Sequence, residues 1–174
     1  MSSTLEQLSA TVRERGGLPA ETLREHARGA ATPHGEVAAS GPRAAADPDR
    51  YALLVEAIRE GYLLHYAAGR VVSSDDADLA LLAGDQLYSI GLAELAEIGD
   101  LDAVAELADV ISLTAAAQAM ADEELAEAVW EAGAVAVGWG PTPDHEAAKA
   151  LARAGDSGAA SALRAAAERA RRPA

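Results

Sequence analysis

Four aspartates between positions 75 and 85 are the first candidates for chemistry. Asp75, Asp76 and Asp78 stand close together, and Asp85 follows within the same apparent helix. Carboxylate oxygens at short spacing are the ligands that Mg²⁺ takes in proteins. The first three aspartates also suit a helix start, because they can accept hydrogen bonds from free N–H groups and complement the helix dipole. We interpret them as a helix cap and keep a metal site as the alternative.

Asp85 requires a different interpretation because it falls in mid-helix, next to Gly84 and inside an apolar band. A buried carboxylate is costly unless it has partners. We expect Asp85 to act as a structural tether, either bonded to a tyrosine or arginine across a helix interface or placed on a polar seam with Asp78 and Glu97. A role as a ligand is the alternative.

The remaining chemistry-bearing residues form no recognisable set. His26, His34, His65 and His145 are dispersed, and none has a ligand partner at a clear helical spacing. The sequence has no nucleophile elbow, no P-loop and no dinucleotide-binding glycine motif. The absence of cysteine excludes disulfides, thiolate catalysis and cysteine-bound metals. We therefore assign no catalytic residue, no cofactor and no metal ligand. We expect the tyrosines at 51, 62, 66 and 88 to lie in the core or an interface, and keep the lining of a pocket as the alternative.

Charge and hydropathy restrict the partners. The formal charge is −14 and the isoelectric point is near 4.5, so the surface repels nucleic-acid phosphates and favours a basic partner or simple solubility. No apolar run reaches the length that spans a bilayer, and residues 1–17 lack the basic and apolar regions of a signal peptide. These features predict a cytoplasmic protein with no membrane span.

The composition and the spacing of apolar residues predict an all-α fold. Half of the residues are hydrophobic but only 3% are aromatic, so alanine and leucine supply most of the core. Caps, glycines and apolar periodicity indicate a bundle of about six to eight helices with an N-terminal helical hairpin on a long linker. We predict a hairpin or docking segment at 1–28, with its second helix running to Ala27, an unstructured or extended linker at 29–47, and the bundle domain at 48–174.

The central element is the stretch from Asp75 to Asp100, which we predict to form one long helix. Gly84 and Gly91 lie seven residues apart on one face, and glycine in a helix costs about 1 kcal/mol relative to alanine. Such a cost is offset where another helix approaches closely, so the two glycines predict a helix crossing. The break at Gly99-Asp100 predicts an antiparallel neighbour from Leu101 to Met120.

The stretch from Leu79 to Met120 resembles the central helix pair of the trans-isoprenyl diphosphate synthases. The resemblance is carried by Ala83-Gly84-Asp85-x-Leu87-Tyr88, with Leu95-Ala96 later in the same helix. The two DDxxD motifs of the catalytic members are missing, and the chain is much shorter than a full synthase. It is therefore similar to the regulatory component of heteromeric polyprenyl diphosphate synthases, which implies a non-catalytic role beside a catalytic chain.

Three functions follow as expectations. The first is a non-catalytic helical subunit that binds a partner protein, as a homo- or hetero-oligomer, in isoprenoid or quinone metabolism; Gly84, Asp85, Tyr88 and Gly91 are its candidate interface or structural residues. The second is a helical bundle that binds an apolar, isoprenoid-like small molecule. The third is a small Mg²⁺-dependent enzyme of prenyl diphosphates that uses Asp85 or the Asp75–Asp78 cluster.

Overall fold

A computed structural model describes residues 3–27 and 33–172, with the backbone alone at Pro33. Within these ranges the chain is all-α, as predicted. The elements are α1 (Thr4–Arg15), α2 (Leu18–Glu21), α3 (Pro33–Ala39), a 3₁₀ turn (Pro42–Ala44), α4 (Pro48–Tyr66), α5 (Ala77–Ile98), α6 (Leu101–Ala119), α7 (Glu123–Trp139), α8 (Pro143–Arg153) and α9 (Ala159–Ala170).

Local capping explains where most of the long helices begin. Asp76 Oδ1 accepts hydrogen bonds from the backbone N–H groups of Asp78 and Leu79, at 2.9 and 3.2 Å. Asp100 and Asp122 cap α6 and α7 in the same way. The interpretation of the aspartates at 75–78 as a helix start is therefore confirmed, with Asp76 as the capping residue.

Two helices organise the packing. The N-terminal α1 and the helices α3 and α5 pack against α4, whereas α3, α6 and α9 pack against α7. The main apolar core lies between α4, α6, α7 and α9 and includes the fully buried Ile58, Leu107 and Trp130. A second apolar cluster joins α1 to α4 and α5 through Leu8, Leu64 and Leu87.

The helices α4 and α5 cross at very close range through glycine. A Cβ atom on Gly84 would lie 2.6 Å from the His65 ring, and one on Gly91 would lie 2.6 Å from Cγ1 of Ile58. On the opposing helix, a Cβ on Gly61 would lie 2.9 Å from the carbonyl oxygen of Gly84. The close crossing predicted from Gly84 and Gly91 is present, and α4 is the helix that approaches.

The predicted linker at 29–47 was wrong for the part of the chain that the structure describes. Residues 33–39 form α3 and residues 42–44 form a 3₁₀ turn, and His34, Ala38 and Ala44 are all buried. Both segments pack on α7, so small side chains here give close contact instead of extended structure. Residues 28–32 of the predicted hairpin and linker lie outside the described ranges.

The N-terminal segment docks on the chain itself. The second helix of the predicted hairpin was expected to reach Ala27, but α2 ends at Glu21. Leu23 then pairs with Val72 in an isolated antiparallel bridge, and the N–H of Arg24 bonds to the carbonyl of Val71 at 2.8 Å. Among the described helices, none combines the length and apolar character needed to cross a membrane.

Candidate functional site

Asp85 lies on the surface and bonds to a neighbouring helix. Its side chain is 68% exposed, and its Oδ1 is 3.0 Å from Nε2 of His65 on α4. The expectation that Asp85 sits inside an apolar band was wrong, because the side of α5 that carries Gly84 and Gly91 meets α4 and leaves Asp85 at the exposed edge of this contact. The bond does cross a helix interface as expected, but its partner is a histidine and not a tyrosine or an arginine.

His65 and Tyr88 stack beside this bond. Their ring centroids are 5.1 Å apart, and Nδ1 of His65 lies 2.8 Å from the carbonyl oxygen of Gly61. Burial, followed by the neighbouring Tyr66 and Tyr62, raises the pKa of Tyr88 above its ordinary value. Tyr88 is therefore a neutral packing residue at physiological pH. The aspartates at the start of α5 stand seven or more residues before Asp85, about 10 Å or more along the helix, so they do not form one site with it.

A buried ionic cluster on α4 was missed in the sequence. Glu56 and Glu60 are 1% and 0% exposed, and Arg70 bonds to both of them, at 2.6 and 3.1 Å. The other oxygen of Glu60 accepts from the N–H groups of Val71 and Val72 at 2.7 and 3.0 Å. Because one cation and several N–H groups satisfy both carboxylates, the cluster fixes the chain after α4 and leaves no carboxylate oxygen of Glu60 for a substrate.

A second buried ionic cluster joins α6 to α8. His145 and Lys149 lie one helical turn apart on α8, and both contact the buried Glu106, at 2.7 and 2.9 Å. Lys149 also bonds to Asp109 and Glu146, each at 2.7 Å. Burial alone would lower the pKa of Lys149, but the three carboxylates outweigh it and raise that pKa, so the ammonium stays charged.

The same cluster contains a possible metal-ligand set. One ligand atom each from Glu106, His145 and Glu146 lies within 4.8 Å of the others. The Lys149 ammonium bonds to both of these glutamates, so a metal ion would have to displace it from their oxygens. The residues therefore form a closed ion-pair cluster in which the protein supplies its own cation.

A third cluster stacks aromatic and charged groups between α3, α4 and α7. The Arg59 guanidinium lies 4.9 Å from the ring centroids of both Tyr62 and Trp130, and His34 stacks on Trp130 at 5.7 Å. Glu127 lies 3.0 Å from Nε2 of His34 and 3.2 Å from Nη2 of Arg59. The His34 contact, and then Arg59, overcome partial burial and lower the pKa of Glu127 to about 2.

Some buried donors of this third cluster have no acceptor among the described residues. They are Nε and Nη1 of Arg59 and Nε1 of Trp130. The nearby cavity between α3, α7 and α9 measures about 270 Å³, which is below the roughly 300–1,000 Å³ of usual ligand pockets. These donor atoms are themselves shielded from solvent, so the cavity does not present them to a ligand.

The outer surface of α5 and α6 exposes large apolar side chains to solvent. Within the described chain, most of the large apolar side chains that remain exposed lie on these helices or at their ends. We call this set the α5–α6 surface and define it by Leu79, Leu81, Leu82, Ile98, Leu101 and Met120, which are 38, 41, 57, 37, 66 and 53% exposed.

The exposed side of α6 carries two acids, the exposed Asp102 and the partly exposed Asp109, which pair with Arg43 and Lys149. It presents one row of small side chains at helical spacing, namely Ala105, Ala108, Ser112, Ala116 and Ala119. A solvated helix face normally carries charged or polar residues. This uncharged row, together with the exposed leucines, is typical of a surface that another molecule covers.

The segment of the chain that contains this surface is rich in acidic residues. Between Arg70 and Lys149 the sequence has seventeen aspartates and glutamates and no lysine or arginine. Most of these acids pair with cations from outside the segment, as Glu94 does with Arg50 and Asp100 with Arg43. Six of them have no lysine, arginine or histidine partner in the described chain: Asp75, Asp76, Asp78, Glu97, Asp122 and Glu123.

These six acids lie beside the exposed apolar residues. Asp78 adjoins Leu79, Glu97 adjoins Ile98, and Asp122 follows Met120 by two residues. The long interval without lysine or arginine is visible in the sequence and could have indicated this surface. The structure adds that the interval contains both the exposed leucines and the acids that are not neutralised.

The four candidate residues of the sequence analysis all contact α4, the two glycines at the crossing and the other two through His65. Gly84 and Gly91 face α4, Tyr88 is partly buried, and Asp85 is exposed. No family model matches the chain, no curated protein matches it, and no solved structure matches it.

Proposed function

We propose that the protein is a non-catalytic helical subunit that binds another protein through the α5–α6 surface. The observation that carries this proposal is the exposure of six large apolar side chains on two neighbouring helices or at their ends. Burying such side chains is worth about 1.5–3 kcal/mol each when it is complete. A partner that covered even part of this surface would gain a substantial apolar contact.

The ionic clusters support a structural role for most other chemistry-bearing residues. Glu60 and Lys149 are each enclosed and bonded to several partners. A substrate could therefore bind to these side chains only if one of the existing bonds were broken. The exposed Asp85 bonds to His65 and stands apart from the aspartate cap of α5. A Mg²⁺-dependent reaction at Asp85 would lack the second carboxylate that such a site needs close by.

The metabolic setting is part of the same proposal. The stretch from Leu79 to Met120, which resembles the central helix pair of the trans-isoprenyl diphosphate synthases, forms α5 and α6. We propose that the partner carries the chemistry and that this chain assists it, with isoprenoid or quinone metabolism as the first context to examine. Binding of an apolar small molecule is the alternative, and extraction of the purified protein for retained isoprenoids would detect it.

The test is purification of the full chain from its native host in three forms. The wild type and the Leu151→Gln variant, whose exposed side chain lies on α8 outside the α5–α6 surface, should retain one stoichiometric partner protein. The variant with Leu82→Gln and Leu101→Gln should lose that partner, because it removes the two most exposed leucines of the surface. A wild-type protein that purifies alone, or a double variant that keeps the partner, would contradict the proposal.

A further inference from the structure

We infer that the partner presents a basic amphipathic helix to the α5–α6 surface. The inference rests on the proposed function and specifies the chemistry of its partner. It is carried by the six acids, close in sequence to the exposed apolar residues, that no lysine, arginine or histidine of the described chain neutralises. The arginines in the same region, Arg15, Arg43 and Arg50, are already paired with Glu94, Asp100 and Asp102.

The acids at the two ends of α5 are not neutralised within the described chain, whereas Asp85 and Glu94 between them are paired. Asp75, Asp76 and Asp78 precede Leu79, and Glu97 stands at the other end of the helix, and no lysine, arginine or histidine among the described residues lies within ion-pair distance of any of them. At the far end of α6, Asp122 and Glu123 follow Met120, and neither has a cationic partner in the part of the chain that the structure describes. An apolar patch with an acidic rim is electrostatically complementary to an apolar stripe flanked by lysines and arginines.

This rim disfavours the other occupants. A second copy in a symmetric dimer would place the same acidic residues against each other, since such an interface uses the same patch on both subunits. An anionic membrane and a nucleic acid would be repelled by the same field. The small side chains on the outside of α6, including Ala105, Ala108 and Ser112, would let the backbone of a partner helix approach closely.

The test uses two designed peptides of about 18 residues, or roughly five helical turns. Both have the same leucine stripe; one has lysine and the other glutamate at every remaining position. Each is labelled at its N-terminus and titrated with the full-length protein, and binding is followed by fluorescence anisotropy. We expect the lysine peptide to bind at least about tenfold more tightly than the glutamate peptide, and to weaken as salt rises from about 50 to about 300 mM.

Matched variants separate the surface from bulk charge. The double variant Leu82→Gln, Leu101→Gln should bind the lysine peptide about tenfold more weakly than the wild type does, whereas Leu151→Gln should bind it with unchanged affinity. The double variant Asp78→Asn, Glu97→Gln should lower the affinity for the lysine peptide more than the double variant Glu36→Gln, Glu168→Gln does. Each of the two variants removes two exposed acids. All of the substituted side chains are exposed, and circular dichroism with thermal unfolding checks that each variant folds.

Three results would overturn the inference. The first is equal binding of the two peptides, and the second is equal weakening by the two pairs of charge variants, which would indicate only attraction to the net charge. The third is a wild-type dimer in analytical ultracentrifugation that Leu82→Gln with Leu101→Gln abolishes, since a second copy would then cover the surface.

The two proposals fail in different experiments. If the peptides bind equally while the native partner still depends on Leu82 and Leu101, the basic helix is excluded and the subunit function stands. If binding of the native partner does not depend on those leucines, the proposed function fails, irrespective of how the peptides bind.

Discussion

Two groups of carboxylates have different neighbours. One group lies on α6 at its contact with α8, and the other lies on α5 at the outer surface. Glu106 and Asp109 face His145, Lys149 and Arg153, which lie at four-residue intervals on one side of α8. On α5, Asp78 and Glu97 face no lysine, arginine or histidine of the described chain.

This difference separates structural charges from charges that are available to a partner. Where the chain packs on itself, cations from the flanking segments neutralise the acids of residues 71–148 and join distant helices. Where the acids are not neutralised, apolar side chains are also left exposed. Charge and exposure together therefore identify the α5–α6 surface better than either does alone.

The largest expected effect is at Lys149. Lys149→Met removes the cation that three carboxylates share and leaves the buried Glu106 with His145 alone, so we expect a loss of about 3–5 kcal/mol in the free energy of unfolding. Urea unfolding followed by circular dichroism measures it. The matched control is Arg169→Met, which breaks an exposed pair with Asp144 and should cost about 1 kcal/mol or less. Similar losses in the two variants would show that the cluster is not a tether.

A smaller loss is expected at the helix crossing. Gly91→Ala places a methyl group 2.6 Å from Cγ1 of Ile58, and overpacking of this kind costs about 1–3 kcal/mol. The better helix propensity of alanine offsets about 1 kcal/mol of that cost. Ser89→Ala, on the exposed side of the same helix, should not destabilise the protein. A more stable Gly91→Ala variant would indicate that α4 and α5 can separate without cost.

Acid should weaken the third cluster through Glu127. Its pKa is lowered to about 2 in the folded protein, from 4.5 in the absence of these contacts. A lowered pKa contributes stability above pH 4.5, and this contribution is lost as the pH falls from about 4.5 towards 2. We expect Glu127→Gln to reduce the slope of stability against pH in this window, measured by thermal unfolding at a series of pH values. An unchanged slope would mean that His34 and Arg59 do not hold the carboxylate in solution.

The smallest effect is expected at Asp85. Because this carboxylate is largely exposed, its bond to His65 should contribute about 0.5 kcal/mol or less, and Asp85→Asn should unfold almost as the wild type does. The same variant should keep the native partner if Asp85 is not part of the contact. A loss of several kcal/mol would instead restore the structural tether that the sequence suggested.

The helix starts could be predicted from the sequence because capping is local. Asp76, Asp100 and Asp122 each bond to N–H groups two or three residues ahead, so the whole signal lies within one turn. The close crossing was predictable for a related reason. Gly84 and Gly91 lower the stability of their helix, and a second helix that packs closely against them offsets this loss.

The features that were missed depend on distant parts of the chain. Glu106 and Lys149 are 43 residues apart in sequence, so their spacing gives no sign of a pair. The helix α3 has few large side chains and is held by contacts with α4 and α7. The exposure of Asp85 depends on which side of α5 meets α4, and its position within an apolar sequence suggested the opposite.

Lys149 is the only lysine of the chain, and it is only 4% exposed. Apart from the N-terminal amine, the folded protein therefore offers amine-directed reagents almost nothing to modify, and trypsin has no cleavage site between Arg70 and Lys149, across all of α5, α6 and α7. Cross-linkers that join lysine to lysine would fail to record a complex through the α5–α6 surface. Carbodiimide coupling, which joins carboxylates to the amines of a partner, matches the chemistry of this surface, and a protease that cuts at acidic residues would map the linked sites.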